Sequence, residues 1–226
     1  MIRTTACVFA VFVAFAPQAV RADAGFLHAS PSLSLASPCD PGASCAFTWT
    51  LASRLGHILR YAETRYGPRD RNWTLLGVEF TSEGSPQVWY PTFDGIGDSV
   101  IVQLTRSAAT DETRALFQLA HEALHLLSPA GPGARASVLE EGLATYNSLD
   151  YMRAIGRPLS PSYIDSPPYE AAYRAVLGLT SRPDFERGVR SLRARRGGLS
   201  GLAAADVQAA WPGLSDAQAR ILAAPF

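Results

Sequence analysis

The first regular pattern of hydrophobic positions along the chain is helical. Between Trp49 and Tyr66 the apolar residues fall three or four positions apart, which places them on one face of an α-helix: Leu51, Leu55, Ile58, Leu59 and Ala62. Gly67 and Pro68 follow, and both residue types end helices. We therefore predict an amphipathic helix over residues 49–66.

The pattern then changes to that of β-strands. Three runs are rich in β-branched and aromatic residues and are separated by the turn-forming sequences SEGSP and DGIGD, namely WTLLGVEF, QVWYPTF and SVIVQLT at residues 73–80, 87–93 and 99–105. After Asp111 the pattern is helical again, with interruptions at Pro and Gly. This order predicts an α+β protein in which a small three-stranded sheet is followed by a mainly helical half.

Residues 1–24 have the features of a secretory signal peptide. A short basic start precedes an apolar run of 11 residues, Ala6 to Ala16, and Ala22 and Ala24 fit the small-x-small form of a cleavage site. The apolar run is too short to span a bilayer, and no later segment is long enough. We expect an exported protein, periplasmic or secreted, without a transmembrane segment.

The remaining chain suits one domain. We interpret residues 25–46 as a lead-in rich in Ser and Pro, and residues 47–226 as one domain with one hydrophobic core. Signal cleavage leaves 18 basic and 19 acidic residues, and this near-neutral balance argues against nucleic acid as the main partner. All basic residues are arginine, which together with abundant alanine is typical of a GC-rich bacterial genome.

Signal cleavage also removes Cys7 and leaves two cysteines, Cys39 and Cys45. Five residues that include Pro41 and Gly42 separate them, so in an oxidising compartment we expect them to close a small disulfide loop. The alternative is that one thiolate reaches a metal as an inhibitory ligand.

The clearest chemical motif is His121-Glu122-Ala123-Leu124-His125. On a helical wheel both histidines lie on the polar face, opposite a cluster of leucines, whereas core histidines would lie among those leucines. One helical turn separates the two imidazoles, so both can bind the same zinc ion. Glu122 lies about 100° around the helix, from where it can lean over a water molecule bound to that ion.

A catalytic zinc site needs a third protein ligand and an open position. The third histidine of the metzincin pattern is absent, because the sixth residue after His125 is Gly131. Residues 128–137 contain several Pro and Gly, which end one helix and let the chain return in another. That second helix carries Glu140 and Glu141 at its start.

The two glutamates can be separated by helix capping. Ser137 and Glu140 have the spacing of a capping box, in which Glu140 turns back to the helix start. Glu141 is then free to point at the metal. We expect Glu141 to be the third ligand, with Glu140 as the alternative.

The two motifs HEALH and LEEGLATY, with fifteen residues between His125 and Glu141, resemble those of the gluzincin group of zinc metallopeptidases. The resemblance is to the small thermolysin-like and aminopeptidase-like forms and covers roughly residues 73–155. It implies a zincin-like fold and one zinc ion per chain, held by His121, His125 and Glu141. It also implies that Glu122 is the general base.

The sequence departs from that family at two points. The gap between the motifs is shorter than is usual, and Thr145 stands where thermolysin-like enzymes have an aspartate. We expect the Thr145 hydroxyl to hydrogen-bond a ligand histidine from outside the metal shell, with less polarisation of the imidazole than a carboxylate gives.

The resemblance also implies where a peptide substrate binds. The strand over residues 99–104 stands where such enzymes keep an edge strand, so an extended peptide could pair with it. The family commonly supplies a Tyr or His that donates to the transition-state oxyanion. Tyr163, Tyr169 and Tyr173 are the open candidates, and each could equally be a packing residue.

The sequence favours a secreted zinc-dependent peptidase that acts on proteins or on bacterial cell-wall peptides. The alternative is a non-catalytic binding or scaffold module that keeps a gluzincin-like fold. Glu122 separates the two, because a closed structural zinc site does not need a carboxylate beside its first histidine.

Several arginines lie just before Gly197 and Gly198, at positions 187, 190, 193, 195 and 196. Cations are favoured near a helix C-terminus. We therefore interpret the run as a solvated helix end rather than as a site for an anionic cell surface.

Overall fold

The computed structural model describes residues 50–82, 84–91 and 97–226. The predicted signal peptide and the predicted disulfide between Cys39 and Cys45 lie outside the described residues and stay predictions.

The first helix, α1 (Leu51–Tyr66), follows the predicted hydrophobic pattern. Thr50 caps it: the Thr50 hydroxyl accepts from the Ser53 amide at 3.2 Å, and the Ser53 hydroxyl accepts from the Thr50 amide at 2.9 Å. The helix ends at Gly67, whose φ of 90° lies in a region that favours glycine. The hydrophobic spacing and the end signal in the sequence therefore predicted this helix well.

The sheet has three strands, β1 (Thr74–Thr81), β2 (Gln87–Trp89) and β3 (Ser99–Thr105), in the order β1-β3-β2. β3 is parallel to β1 and antiparallel to β2. The prediction that β3 is an edge strand is therefore wrong, because β3 pairs on both sides. Its alternate residues Val100 and Val102 are fully buried, as expected of a central strand, and β1 and the short β2 form the two edges.

The rest of the described chain is mainly helical, which confirms the predicted α+β class. Short 3-10 helices lie at Arg106–Ala109 and Pro161–Tyr163. None of the helices in the described ranges is long and apolar enough to cross a membrane. The α-helices are α2 (Glu112–His125), α3 (Val138–Ala154), α4 (Pro167–Thr180), α5 (Phe185–Arg196), α6 (Ala204–Ala210) and α7 (Asp216–Ala223).

Helices α2 and α3 pack directly against each other in the core. Leu119 and Leu143 are fully buried, and burial of each such side chain contributes about 1.5–3 kcal/mol. The Asn147 side chain on α3 also donates to the Ala120 carbonyl of α2 at 2.8 Å. This packing fixes how the polar residues of the two helices face each other.

Candidate metal centre

Helix α2 brings the two histidines of the motif together. The Asp111 side chain caps the helix by accepting from the Arg114 amide at 3.0 Å. One turn apart near the C-terminal end, the rings of His121 and His125 have centroids 5.2 Å apart. His121 is buried with 7% of its surface exposed, because the polar face of α2 turns towards α3 rather than towards solvent.

Helix α3 brings Glu141 to these histidines. Nε2 of His121 lies 3.1 Å from Oε2 of Glu141, and Nε2 of His125 lies 3.6 Å from Oε1. The three side chains offer ligand atoms that all lie within 4.8 Å of one another. The structure therefore contains the buried two-histidine, one-glutamate group that the motifs predicted, and this group could hold one metal ion.

The spacing and chemistry of this group suit zinc. A tetrahedral zinc ion with ligand bonds of about 2.0–2.2 Å keeps neighbouring ligand atoms roughly 3.3–3.6 Å apart. The separations of Glu141 from His121 and His125 are close to that range. Two imidazole nitrogens and one carboxylate are also the protein ligands of many catalytic zinc sites, which keep a fourth position open.

Glu140 does not turn back to the helix start, so this part of the capping prediction is wrong. Ser137 does cap α3, since its hydroxyl accepts from the Glu140 amide at 3.1 Å. The Glu140 carboxylate instead accepts from Nδ1 of His125 at 3.0 Å. This bond places the ring proton on Nδ1 and leaves the Nε2 lone pair for a metal, as is usual for metal-binding histidines.

A loop from the C-terminal part of the chain holds Glu140 in place. The Ser200 hydroxyl donates to Oε2 of Glu140 at 2.5 Å, so both carboxylate oxygens have a partner. The Ser137 hydroxyl donates to the Leu199 carbonyl at 2.7 Å, which fixes the same loop to the start of α3. The sequence did not predict this contact because Ser200 lies 60 residues after Glu140 and its loop carries no motif.

The prediction that Thr145 hydrogen-bonds a candidate ligand histidine is wrong. The Thr145 hydroxyl donates to the Glu141 carbonyl at 2.9 Å, one turn back along the same helix. The carboxylate that accepts from the Nδ1 side of a candidate ligand histidine is that of Glu140. Thr145 therefore supports the backbone of the ligand Glu141.

Burial and close charges shift the pKa values of this group. Burial alone would raise the pKa of Glu141, but the imidazoles of His125 and His121 hold it well below its usual range. Burial alone would lower the pKa of His125, but Glu141 and Glu140 raise it well above its ordinary value. Burial raises the pKa of Glu122, although the nearby imidazoles of His121 and His125 oppose this shift.

Glycine at position 142, directly after Glu141, allows a close helix contact. A Cβ atom there would lie 2.2 Å from the Ala172 carbonyl oxygen of α4. Glycine therefore lets α4 lie against α3, and α4 carries Tyr169 to the metal group. The Tyr169 ring meets the His121 ring edge-on, with centroids 5.5 Å apart.

Of the three tyrosines considered as oxyanion donors, only Tyr169 lines the cavity with the metal group in the described structure. Burial, together with the charges of Glu141 and Glu122, raises the pKa of Tyr169 well above its ordinary value. Tyr163 packs edge-on against Phe117 and lines a neighbouring cavity. Tyr173 is buried in the core, so packing is its role.

The metal group lies in the middle of a cleft made of three adjoining cavities. The central cavity, about 280 Å³, contains all three candidate ligands and Glu122 and has β2 as one wall. The His121-side cavity, about 720 Å³, shares Pro86, His121 and Tyr169 with it. The Ser200-side cavity, about 630 Å³, shares Ser200 and residues of the loop between α2 and α3 with it.

Comparison with known proteins adds no relative. No protein-family model matches the chain, and no curated protein and no solved structure is significantly similar to it. The functional argument therefore rests on the geometry of the site itself.

Proposed function

We propose that this chain is an exported zinc-dependent peptidase. The observation that carries the proposal is the convergence of His121, His125 and Glu141 on one point, with Glu122 in the same cavity. The proposed export rests on the features of residues 1–24 in the sequence.

Zinc, when bound, lowers the pKa of a coordinated water molecule and polarises a substrate carbonyl. In the proposed reaction Glu122 accepts the proton of the attacking water and passes it to the leaving amine. Glu122 suits this role because it is buried next to His121, while its side chain is not one of the three ligands. A closed structural site needs no such carboxylate.

Glu140 and Ser200 keep His125 in a fixed orientation for the metal. The Glu140 carboxylate accepts from Nδ1 of His125, and the Ser200 hydroxyl donates to the other oxygen of Glu140. A negatively charged partner makes the imidazole a stronger ligand and prevents its rotation. Both residues are therefore positioning residues in the proposed site.

The substrate is proposed to be a peptide that lies along β2. β2 replaces β3 in this role, because of the two edge strands β1 and β2 it is β2 that lines the central cavity, through Gln87 and Val88. Strand addition to such an edge supplies main-chain hydrogen bonds without dependence on sequence. Tyr169 is the proposed donor to the oxyanion, since it lines the same cavity.

The experiment that tests the metal site is zinc analysis of purified mature protein. We expect one zinc ion per chain in the wild type. His121→Ala and Glu141→Ala remove a ligand and should lose the ion, whereas Glu170→Ala removes an exposed carboxylate of α4 and should keep it.

Circular dichroism of each variant shows whether a loss of zinc comes from unfolding. A folded Glu141→Ala variant that still binds zinc at wild-type affinity contradicts the ligand assignment. A zinc-loaded wild type that cleaves no member of a broad peptide library contradicts the peptidase proposal and favours a non-catalytic binding module.

A further inference from the structure

Two further cavities adjoin the one that holds the candidate metal group. The His121-side cavity and the Ser200-side cavity flank the central cavity, and each shares wall residues with it. Both flanking cavities fall in the range of about 300–1,000 Å³ that is typical of ligand pockets. The metal group is therefore not at the closed end of a pocket.

Exposed residues line the outer parts of both flanking cavities. Arg106 and Ser162 are exposed on the wall of the His121-side cavity, and Arg135 and Arg196 are exposed on the wall of the Ser200-side cavity. Both flanking cavities therefore open to solvent, one beside His121 and the other beside Ser200.

Among the described residues that line the central cavity, no charged side chain is available to pair with the free amino or carboxyl end of a peptide. Both carboxylate oxygens of Glu140 have partners, and those of Glu141 face the two histidines. Glu122 is reserved for the attacking water in the proposed reaction. No arginine lines the central cavity in the part of the chain that the structure describes, so a terminal carboxylate also lacks a partner there.

The wall formed by β2 and the residues before it spans the junction of two cavities. Gly84, Ser85 and Pro86 line the His121-side cavity, while Gln87 and Val88 line the central one. An extended chain advances about 3.3 Å per residue, so a peptide paired along this wall passes the metal group within a few residues.

We infer that the site, given the proposed peptidase function on which this inference rests, is that of an endopeptidase. It takes a polypeptide that extends beyond the scissile bond on both sides. Water adds across the C–N bond, with the hydroxyl on the carbonyl carbon and the proton on the leaving nitrogen. Each product then still has a chain segment in one flanking cavity.

The test uses peptides of about ten residues, roughly 33 Å long when extended, in two matched mixtures. One mixture has acetylated and amidated ends, and the other has free ends. Zinc-loaded protein is incubated with each, and mass spectrometry locates the cleaved bonds. We expect internal cleavage in both mixtures at similar rates, with little cleavage of dipeptides, because short substrates lose the binding energy that the flanking cavities supply.

Two variants that narrow the flanking cavities sharpen the test. Ser162→Trp and Arg135→Trp place a rigid indole ring in the His121-side and Ser200-side cavity respectively, and neither residue lines the central cavity. Each should lower kcat/KM for the blocked peptides about tenfold or more while zinc content is unchanged. Ala52→Trp, on an exposed position of α1 outside these three cavities, is the matched control.

The outcomes separate this inference from the proposed function. Removal of single residues from free ends only, with blocked peptides intact, overturns the endopeptidase inference and leaves the peptidase proposal standing. Wild-type rates in both tryptophan variants also overturn it. Absence of cleavage in every mixture by zinc-loaded protein overturns the proposed function as well.

Discussion

Two buried groups of charged residues differ in how their polar atoms are satisfied. The first is Arg193 on α5, which is 8% exposed. Its guanidinium donates to the carbonyls of Tyr66, Gly67, Pro68 and Leu127 and to the Ser128 hydroxyl, which accounts for all five of its N–H groups. Burial lowers the pKa of Arg193 to about 10, so the side chain stays charged at neutral pH.

The second group is that of His121, His125 and Glu141. Here three potential ligand atoms lie close together in a cavity that adjoins two others. Arg193 joins the ends of α1 and α2 with a complete set of hydrogen bonds, whereas the histidine-glutamate group could hold a metal ion. Burial of charge alone therefore does not distinguish a structural group from a candidate metal site, whereas the convergence of potential ligand atoms in a cavity does.

The largest effect on stability is expected from Arg193. Arg193→Met keeps much of the stem but leaves buried carbonyl groups without a donor, which should lower the free energy of unfolding by about 3–5 kcal/mol. Arg195→Met, on the exposed end of the same helix, should change it by less than about 0.5 kcal/mol. Urea unfolding of metal-free protein measures both, and equal stability of the two variants contradicts the structural role of Arg193.

The second effect concerns Glu140. Glu140→Ala removes the partner of Nδ1 of His125 and should weaken zinc binding about 10–100-fold, the usual cost of losing such a contact. Glu140→Gln keeps an oxygen acceptor for Nδ1 of His125. Its zinc affinity should therefore lie between that of Glu140→Ala and that of the wild type. Competition with a chelator measures the affinities, and wild-type affinity in Glu140→Ala would show that Glu140 does not position His125.

The smallest effect is expected from Ser200, which acts through Glu140. Ser200→Ala removes one hydrogen bond to a carboxylate, which should weaken zinc binding by about 1–2 kcal/mol, or roughly 5–30-fold. In the background of Glu140→Ala the same change should have almost no effect, because its partner is gone. If the losses of zinc affinity in the two single variants add up in the double variant, Ser200 does not act through Glu140.

Local sequence signals predicted the helices and the ligand group. The end of α1, the cap of α3 at Ser137 and the shared face of His121 and His125 depend on residues within a few positions of each other. Such features follow from helical periodicity and backbone capping alone. Glu141 belongs to the group that could hold a metal ion, as predicted, whereas the Glu140 carboxylate is held by His125 and Ser200 and not by a capping box.

Features that depend on distant contacts could not be predicted. Glu140 is held by the Ser200 hydroxyl, which lies 60 residues further along the chain. The central position of β3 follows from the order of the strands in the sheet, which hydrophobic alternation does not specify. The arginine run was interpreted as a solvated helix end, and for Arg193 this is wrong. Its position on the apolar face of α5, directly after the buried Leu192, was the available signal.

The central claim is that the histidine-glutamate group is catalytic and that Glu122 is its general base. Glu122→Gln keeps the shape of the side chain but cannot accept the proton of the attacking water. We predict that Glu122→Gln has the zinc content and the stability of the wild type. Its rate of peptide hydrolysis should be reduced at least about a hundredfold. The measurement compares hydrolysis by zinc-loaded Glu122→Gln and zinc-loaded wild type on the same peptides, and an unchanged rate in the variant would contradict the account.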